Sequence, residues 1–600
     1  MNGGRNAGRG PAFARPKEKT SVILLKLWRY LEKYRFIIIF AALLSVVGNA
    51  LGLVSPRLSG AAINAIEDAG GVQFPTVIRY VILMVIVAAL SSLIGWALSA
   101  IMIRLSRNVV SKMRKDLFDH LTTLPISFFD THQTGDVLSI LSYDVDTVGA
   151  TLSTDLTQII SSLVTVVGSF IMMVSIAPQL LLVFAVTIPL SIAITRWRAK
   201  IVRPLFSRRS RMLGAMNGYS EETVSGMKTI RAYHQEEEFN TRFKTHNDNA
   251  VHATWHADHT AAITGPTVNL INNLSLAAVS VFGALLYMGG RILLGDVSSF
   301  VLYSRKFSGP INEFANILAE IQSTLAAAER VLGLLSLSPE QADAPDAASI
   351  DDCKGHIQFR DVSFGYEEGK TVLHHIDFEA APGQVMAIVG ETGCGKTTLI
   401  NLLMRFYDVT EGRILLDGKD IRQLKREELR RQFTMVLQDT WLFDGTVFEN
   451  IAYGRDGVTR EEVEKAAKAA HIHDMILSLP KGYDTVVTGS GNSISKGQKQ
   501  LLTIARAMLI DSPMLILDEA TSNVDTQTER HIQHAMLQLM KERTCFIIAH
   551  RLSTITGADC ILVMDKGRIV ESGSHQQLLD KKGAYYELYH AQFDTPQNHP

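Results

Sequence analysis

Cysteine is scarce. Only Cys353, Cys394, Cys545 and Cys560 occur in 600 residues, all in the second half, and their spacing fits neither a zinc site nor a disulfide framework. They read as reduced cytosolic thiols. A charge excess of one sign is also missing: the formal net charge is −1, which removes a global electrostatic argument for nucleic-acid binding. No cleavable signal peptide is visible. The start is rich in Gly and Arg, and the first apolar run is interrupted by Lys26, Arg29 and Lys33. Proline is absent from Thr76 to His120, so nothing there stops a helix longer than a bilayer is thick.

What is abundant is apolar character. Hydrophobic residues make up 47% and crowd into the first half. The chain is too long for one core, so several domains are expected. Residues 1–20 are small and basic and read as a disordered cytoplasmic arm. Residues 21–34 place Ile23, Leu24, Leu27, Trp28 and Leu31 on one stripe with cations between them, suited to a helix on a membrane surface. Spans are expected near 36–56, 77–103, 151–174, 178–196, 260–288 and 297–320, each about 20 apolar residues or more. The last contains Arg305, Lys306 and Glu313. Charges at that depth usually face a bundle interior or a wet cavity, so Arg305 or Lys306 is expected to line a transport path.

Loop charges set the topology. The 57–76 loop carries Glu67 and Asp68. The 104–150 loop opens with Arg104, Arg107, Lys112, Arg114 and Lys115, and the 196–259 loop holds Arg196, Arg198, Lys200, Arg203, Arg208, Arg209 and Arg211. The positive-inside rule places both long loops and both termini in the cytoplasm. These loops still read as helix. Thr134-Gly135-Asp136 and Ser225-Gly226 are the expected turns at their tips, where they would touch a cytosolic element. The expected division is a transmembrane domain at 21–336, a linker at 337–355, an α/β domain at 356–590 and a tail at 591–600.

The chemistry lies in the second half. Gly390-Glu391-Thr392-Gly393-Cys394-Gly395-Lys396-Thr397-Thr398 fits the phosphate-loop pattern GxxxxGK[ST]. An apolar strand, Val385–Val389, precedes it, and a helical run from Leu399 follows. Glycines let backbone N–H groups curl around phosphate oxygens, and the helix N-terminus adds partial positive charge. Lys396 supplies a full charge to the β/γ-phosphates, and the Thr397 hydroxyl is a Mg²⁺ ligand candidate. A second strand, Met514–Leu517, ends in Asp518-Glu519. Asp518 would hold the magnesium shell, and Glu519 would act as general base on the attacking water.

With these motifs the chain resembles an ATP-binding cassette exporter half-transporter of the multidrug-resistance type. The resemblance covers roughly residues 20 to 590. It implies a membrane α-helical domain of six helices with long cytoplasmic extensions, plus an α/β P-loop nucleotide-binding domain, with ATP and Mg²⁺ as cofactors. Tyr366 matches the aromatic that stacks on adenine. Gln438 matches the glutamine that touches Mg²⁺ and senses the transmembrane loops. Ser522-Asn523-Val524-Asp525 matches the loop that crosses the dimer interface, and His550 the switch histidine at the γ-phosphate.

One motif departs. Where the family has LSGGQ, this chain has Ile494-Ser495-Lys496-Gly497-Gln498. By the resemblance, Ser495, Gly497 and Gln498 face ATP held by the opposite subunit, and Lys496 replaces a glycine there. A sound catalytic set beside an altered signature implies one half of a heterodimer whose partner lacks the equivalent of Glu519. A homodimeric exporter or flippase is the alternative, an ATP-gated channel or an importer on the same scaffold a further one. The expected setting is the inner or plasma membrane and the expected cargo a drug, lipid or peptide. No peptidase-like segment precedes the spans, which weighs against a leader-cleaving peptide exporter.

Overall fold

The structure, a computed structural model, describes residues 20–67, 72–350, 352–367, 369–438, 440–488, 494–518, 526–548 and 556–593. The chain divides into two compact units, Met1–Thr123 with His132–Leu337, and Leu124–Thr131 with Ser338–Pro600.

The first unit is helical. An elbow helix, Thr20–Glu32, precedes five helices long and apolar enough to cross a membrane: Arg35–Glu67, Phe74–Leu121, Thr134–Ile176, Pro178–Ser225 and Glu236–Met288. They contain the first five expected spans. The sixth lies in the helix Leu294–Leu335, which is as continuous but, among the described residues, is not counted with the apolar five. Asp296, Arg305, Lys306 and Glu313 interrupt its apolar run. The helices outrun a bilayer, as expected: the 48 residues of Phe74–Leu121 span about 72 Å at 1.5 Å each, against a hydrocarbon core of about 30 Å.

Pro56 organises the packing of the first span against the last helix. It sits inside Arg35–Glu67 and cannot donate to the carbonyl of Gly52. Lys306 Nζ donates to that orphaned oxygen at 3.1 Å. Tyr303 Oη donates to the Leu53 carbonyl at 2.5 Å, and Ser299 Oγ to the Pro56 carbonyl at 2.9 Å. One turn on, Gly60 and Gly295 bring the backbones together so closely that a Cβ on Gly295 would lie 1.9 Å from the Gly60 oxygen. Small residues at the crossing and polar side chains that satisfy a kinked backbone are how helices associate where water drives nothing.

The tip between the second and third long helices comes earlier than the Gly135 turn. Phe74–Leu121 ends before Pro125, and Leu124–Thr131, containing the short helix Ile126–Thr131, groups with the second unit. Gly135 instead lies in the first turn of the helix that starts at Thr134. At the other tip Gly226 does end a long helix, Leu181–Ser225, and Met227–Ala232 follows.

The second unit is built on two sheets. β1 (Ile357–Phe364), β2 (Leu373–Ala380), β4 (Glu411–Leu416) and β5 (Lys419–Asp420) form an antiparallel sheet in the order β2-β1-β4-β5. β3 (Val385–Gly390), β6 (Phe433–Val436), β9 (Met514–Asp518), β10 (Thr544–Ile548), β11 (Cys560–Asp565) and β12 (Arg568–Gly573) form the order β12-β11-β3-β10-β9-β6, parallel except for β12. A short pair, β7 (Gly445–Thr446) with β8 (Val486–Val487), stands apart.

Alternation along the parallel strands divides the core. Met386, Ile388, Ile516 and Phe546 point to the face covered by the helix Lys396–Leu403 and the antiparallel sheet. Ala387, Val389, Leu515, Leu517 and Ile547 point to the other face, covered by Leu501, Leu502, Ile504 and Ala505 of the helix Lys496–Leu509. The segment after Leu337 is pinned to this unit. Arg430 pairs with Glu340 at 2.6 Å, Arg426 with Asp343 at 2.8 Å, and Ala348 N–H donates to the Gln423 carbonyl at 2.8 Å.

Candidate nucleotide site

The phosphate loop runs from the C-terminal end of β3 into the helix Lys396–Leu403. Its glycines are there for conformation and clearance. Gly393 and Gly395 have φ of +87° and +105°, where a Cβ is costly. A Cβ on Gly390 would lie 2.2 Å from the Met564 carbonyl oxygen. The loop is tied to its neighbour by Gly567 N–H donating to the Cys394 carbonyl at 3.1 Å. Lys396 Nζ curls back under the loop and donates to the carbonyls of Gly390 (2.8 Å) and Glu391 (2.9 Å), with Cys394 Sγ at 3.8 Å. Glu391, Thr392, Gly393 and Thr397 are exposed, while Cys394, Lys396 and Thr398 are buried. Backbone amides at a helix N-terminus with a buried ammonium behind them make a cradle for a polyphosphate.

The other expected groups gather at the same edge of the sheet. β9 and β3 flank β10 in parallel register, so Asp518 ends its strand two positions from the phosphate loop. Gln438 is exposed two residues beyond β6, the neighbour of β9. Ligands bind at such carboxyl ends in α/β sheets. Tyr366 is brought to the helix of the loop: its hydroxyl donates to Thr398 Oγ1 at 3.1 Å and accepts from Asn401 Nδ2 at 3.3 Å. Glu519, Ser522–Asp525 and His550 lie outside the described residues.

The signature residues are not brought to this loop. Ser495 caps the helix Lys496–Leu509 on the opposite face of the sheet. Gln498 N–H donates to Ser495 Oγ at 3.3 Å, and Ser495 N–H to Gln498 Oε1 at 2.9 Å, a reciprocal capping box. Ile494 and Gly497 are buried, and Lys496, the first residue of the helix, is exposed.

Comparison with known proteins agrees with this geometry. Residues 38–311 match the family description "ABC transporter transmembrane region", and residues 373–522 match "ABC transporter". A Bacillus subtilis protein named as the uncharacterized ABC transporter ATP-binding protein YfiC is 42% identical over 97% of this chain and 96% of its own. The chain belongs to the ATP-binding cassette transporters. A fatty acid ABC transporter ATP-binding/permease protein of Mycobacterium tuberculosis is 42% identical over 87% of this chain and 82% of its own. The ATP-dependent lipid A-core flippase of Idiomarina loihiensis is 40% identical over 81% and 83%. Among solved structures, a bacterial Atm1-family ABC exporter with ATP bound superposes with a TM-score of 0.76, at 30% identity, over 94% of this chain and 99% of that one. This ABC chain is therefore an exporter half-transporter, an ATPase coupled to transport across a membrane that it crosses several times.

Two arrangements escape a reading of the sequence. In the first, Tyr407 Oη donates to Asp130 Oδ2 at 2.6 Å, joining the Leu124–Thr131 segment to the nucleotide unit. The Tyr407 ring meets that of Tyr366 edge-on at 5.0 Å, so the contact continues to Thr398 in the phosphate-loop helix. Burial, reinforced by the Asp130 carboxylate, pushes the Tyr407 phenol well above the ordinary tyrosine range. In the second, Arg506 of the signature helix donates to the Asn450 carbonyl (2.8 Å), Asn450 Oδ1 (3.3 Å) and the Trp441 carbonyl (3.3 Å). Its guanidinium lies over Tyr453 at 5.1 Å and Phe443 at 5.9 Å. Asn450 in turn bonds both backbone groups of Phe443. Arg506 thus ties the segment after Gln438 to the helix that starts at Ser495. The only sequence signal nearby is Thr446-Val447-Phe448-Glu449, a capping box that marks the start of Val447–Ala452 but not its partner.

Proposed function

We propose that the chain is one half of a plasma (inner) membrane exporter that moves an amphipathic, acyl-chain-bearing cargo by alternating access. The names of its fatty acid and lipid A-core relatives, which it matches along most of its length, support that cargo class. The loop amides and Lys396 would hold the β- and γ-phosphates of ATP, and the Tyr366 ring would meet the adenine. Thr397, Gln438 and Asp518 are the oxygen donors that would hold Mg²⁺, whose charge offsets that of the phosphates when bound. Glu519 orients the attacking water and accepts its proton, and His550 contacts the γ-phosphate. The segments at Leu124–Thr131 and around Gly226 carry closure of the nucleotide domains to the spans.

The partner in this reading is a different chain. The observation that carries it is Lys496, exposed on the first turn of the signature helix, where a cation opposes the helix dipole and occupies the place of the family's glycine. This chain supplies a complete hydrolytic half-site in Lys396, Gln438, Asp518, Glu519 and His550. Its partner supplies the sound signature and lacks a working glutamate. Purified alone, the chain should turn over ATP weakly; co-purified with the product of a neighbouring gene it should turn over well. Glu519→Gln in that pair should bind ATP, close and almost stop. Robust transport by the chain alone would establish the homodimeric exporter or flippase instead.

A further inference from the structure

We propose that the membrane unit holds one acyl chain of an anionic phospholipid beneath the elbow helix, as a regulatory ligand and not as cargo. A cavity of about 420 Å³ lies there, within the range of small-ligand sites. Its walls come from four elements distant in sequence: Trp28 and Leu31 of the elbow, Met113 of the second long helix, Leu152 and Leu156 of the third, and Leu325 of the last. Three hydroxyls lie on its lining and all are committed; that of Tyr30 is bonded to the Asp116 carboxylate. Thr151 and Thr324 bond each other, and Thr324 Oγ1 also donates to the Glu320 carbonyl at 3.0 Å. A lining of that kind stays dry and suits an apolar occupant.

The rim supplies the other half of the recognition. Lys112, one residue before Met113, is exposed, and its ammonium lies over the Tyr30 ring at 5.6 Å. Arg29 is exposed on the elbow itself. Cations beside an apolar slot, on a helix suited to the membrane surface, match a phosphate headgroup with its chain turned inward. One wall is the π-helical turn Thr151–Asp155, a feature that recurs at functional sites. The third and last helices that line the cavity are also locked together by Arg330, which grips the buried Asp144 at 2.6 and 2.7 Å. An occupant therefore bears on the packing of the third and last helices. The inference does not depend on the cargo or on the identity of the partner subunit.

The test uses the complete transporter in nanodiscs of neutral phosphatidylcholine with increasing phosphatidylglycerol. A phosphatidylglycerol with a photoreactive acyl chain should label peptides around Trp28 and Leu152, and ATP turnover should follow the same titration. Leu152→Trp, which fills the slot, and Lys112→Glu, which reverses the rim, should each lower labelling about tenfold and flatten the turnover response. Lys112→Glu is a surface change and guards against a packing defect in the first variant. Equal labelling by a neutral phosphatidylcholine probe, or labelling that survives both variants, would overturn the proposal. So would labelling displaced by transported cargo, because the slot would then be part of the export path.

Discussion

Arg506 gives the sharpest test of how the two faces of the nucleotide unit are joined. Replacing it with alanine removes hydrogen bonds to two backbone carbonyls and one side-chain amide, and two cation–π contacts. A charged donor to a backbone acceptor contributes roughly 1.5–3 kcal/mol, and each partly exposed cation–π pair about 0.5–1 kcal/mol. Against this stands the burial of the guanidinium, which pushes its pKa below the ordinary arginine range. A net loss of about 2–3 kcal/mol in the stability of the Trp441–Tyr453 segment follows. If the segment opens locally, amide exchange there should accelerate roughly 30–150-fold. Phe443 is the reporter, since its N–H is held by Asn450 Oδ1 at 2.8 Å. Hydrogen exchange read by mass spectrometry on the intact transporter measures this directly. Arg506→Lys keeps the charge but cannot reach all three acceptors, so it should fall between. Wild-type exchange in Arg506→Ala would refute the claim that this residue holds the segment.

Tyr407→Phe removes the hydrogen bond to Asp130 but keeps the edge-on ring contact with Tyr366; because Asp130 is exposed, stability should fall by only about 1 kcal/mol. Cargo-stimulated ATP turnover should drop more than basal turnover, and an equal drop in both would sink the coupling role. Gly390→Ala sets a Cβ against the Met564 carbonyl at 2.2 Å, a backbone collision that should cost about 3 kcal/mol or more; equilibrium ATP binding should be lost, and retained binding would contradict the loop geometry. Burial pushes the Cys545 thiol and the Tyr483 and Tyr585 phenols each up to about 12. Their neutral forms are favoured in the folded unit, so the stability they contribute is complete below the unfolded values of about 8.5 and 10 and is lost as pH rises towards 12. The thermal stability of the nucleotide unit should fall steadily across that window, and a flat profile would argue against their burial.

The phosphate loop was legible because its residues encode their own backbone: the two glycines at positive φ need no distant partner to be recognised. The spans were legible because a bilayer demands long apolar runs, and the weakest of the six, which carries Arg305, Lys306 and Glu313, is the one that does not count among the five apolar helices of the described residues. The tip of the first long loop was not legible. A charged Thr-Gly-Asp turn drew attention to Gly135, while Pro125 ended the helix earlier and Leu124–Thr131 joined the other unit. The linker composition likewise gave no sign that Glu340 and Asp343 would be gripped by arginines more than eighty positions away.

Local sequence thus determined what is chemically short-range: a phosphate cradle, an acidic strand end and the presence of membrane-crossing helices. Tertiary structure alone decided which groups answer one another across the chain. The Gly52 carbonyl left unpaired by Pro56 is met by Lys306, 254 positions later, and Asp130 is met by Tyr407, 277 positions later. Strand alternation likewise sends the signature helix and the phosphate-loop helix to opposite faces of one sheet. The physical reason is that a hydrogen bond or an apolar face specifies what kind of partner it needs but not where along the polypeptide that partner lies; only packing of the whole fold supplies it.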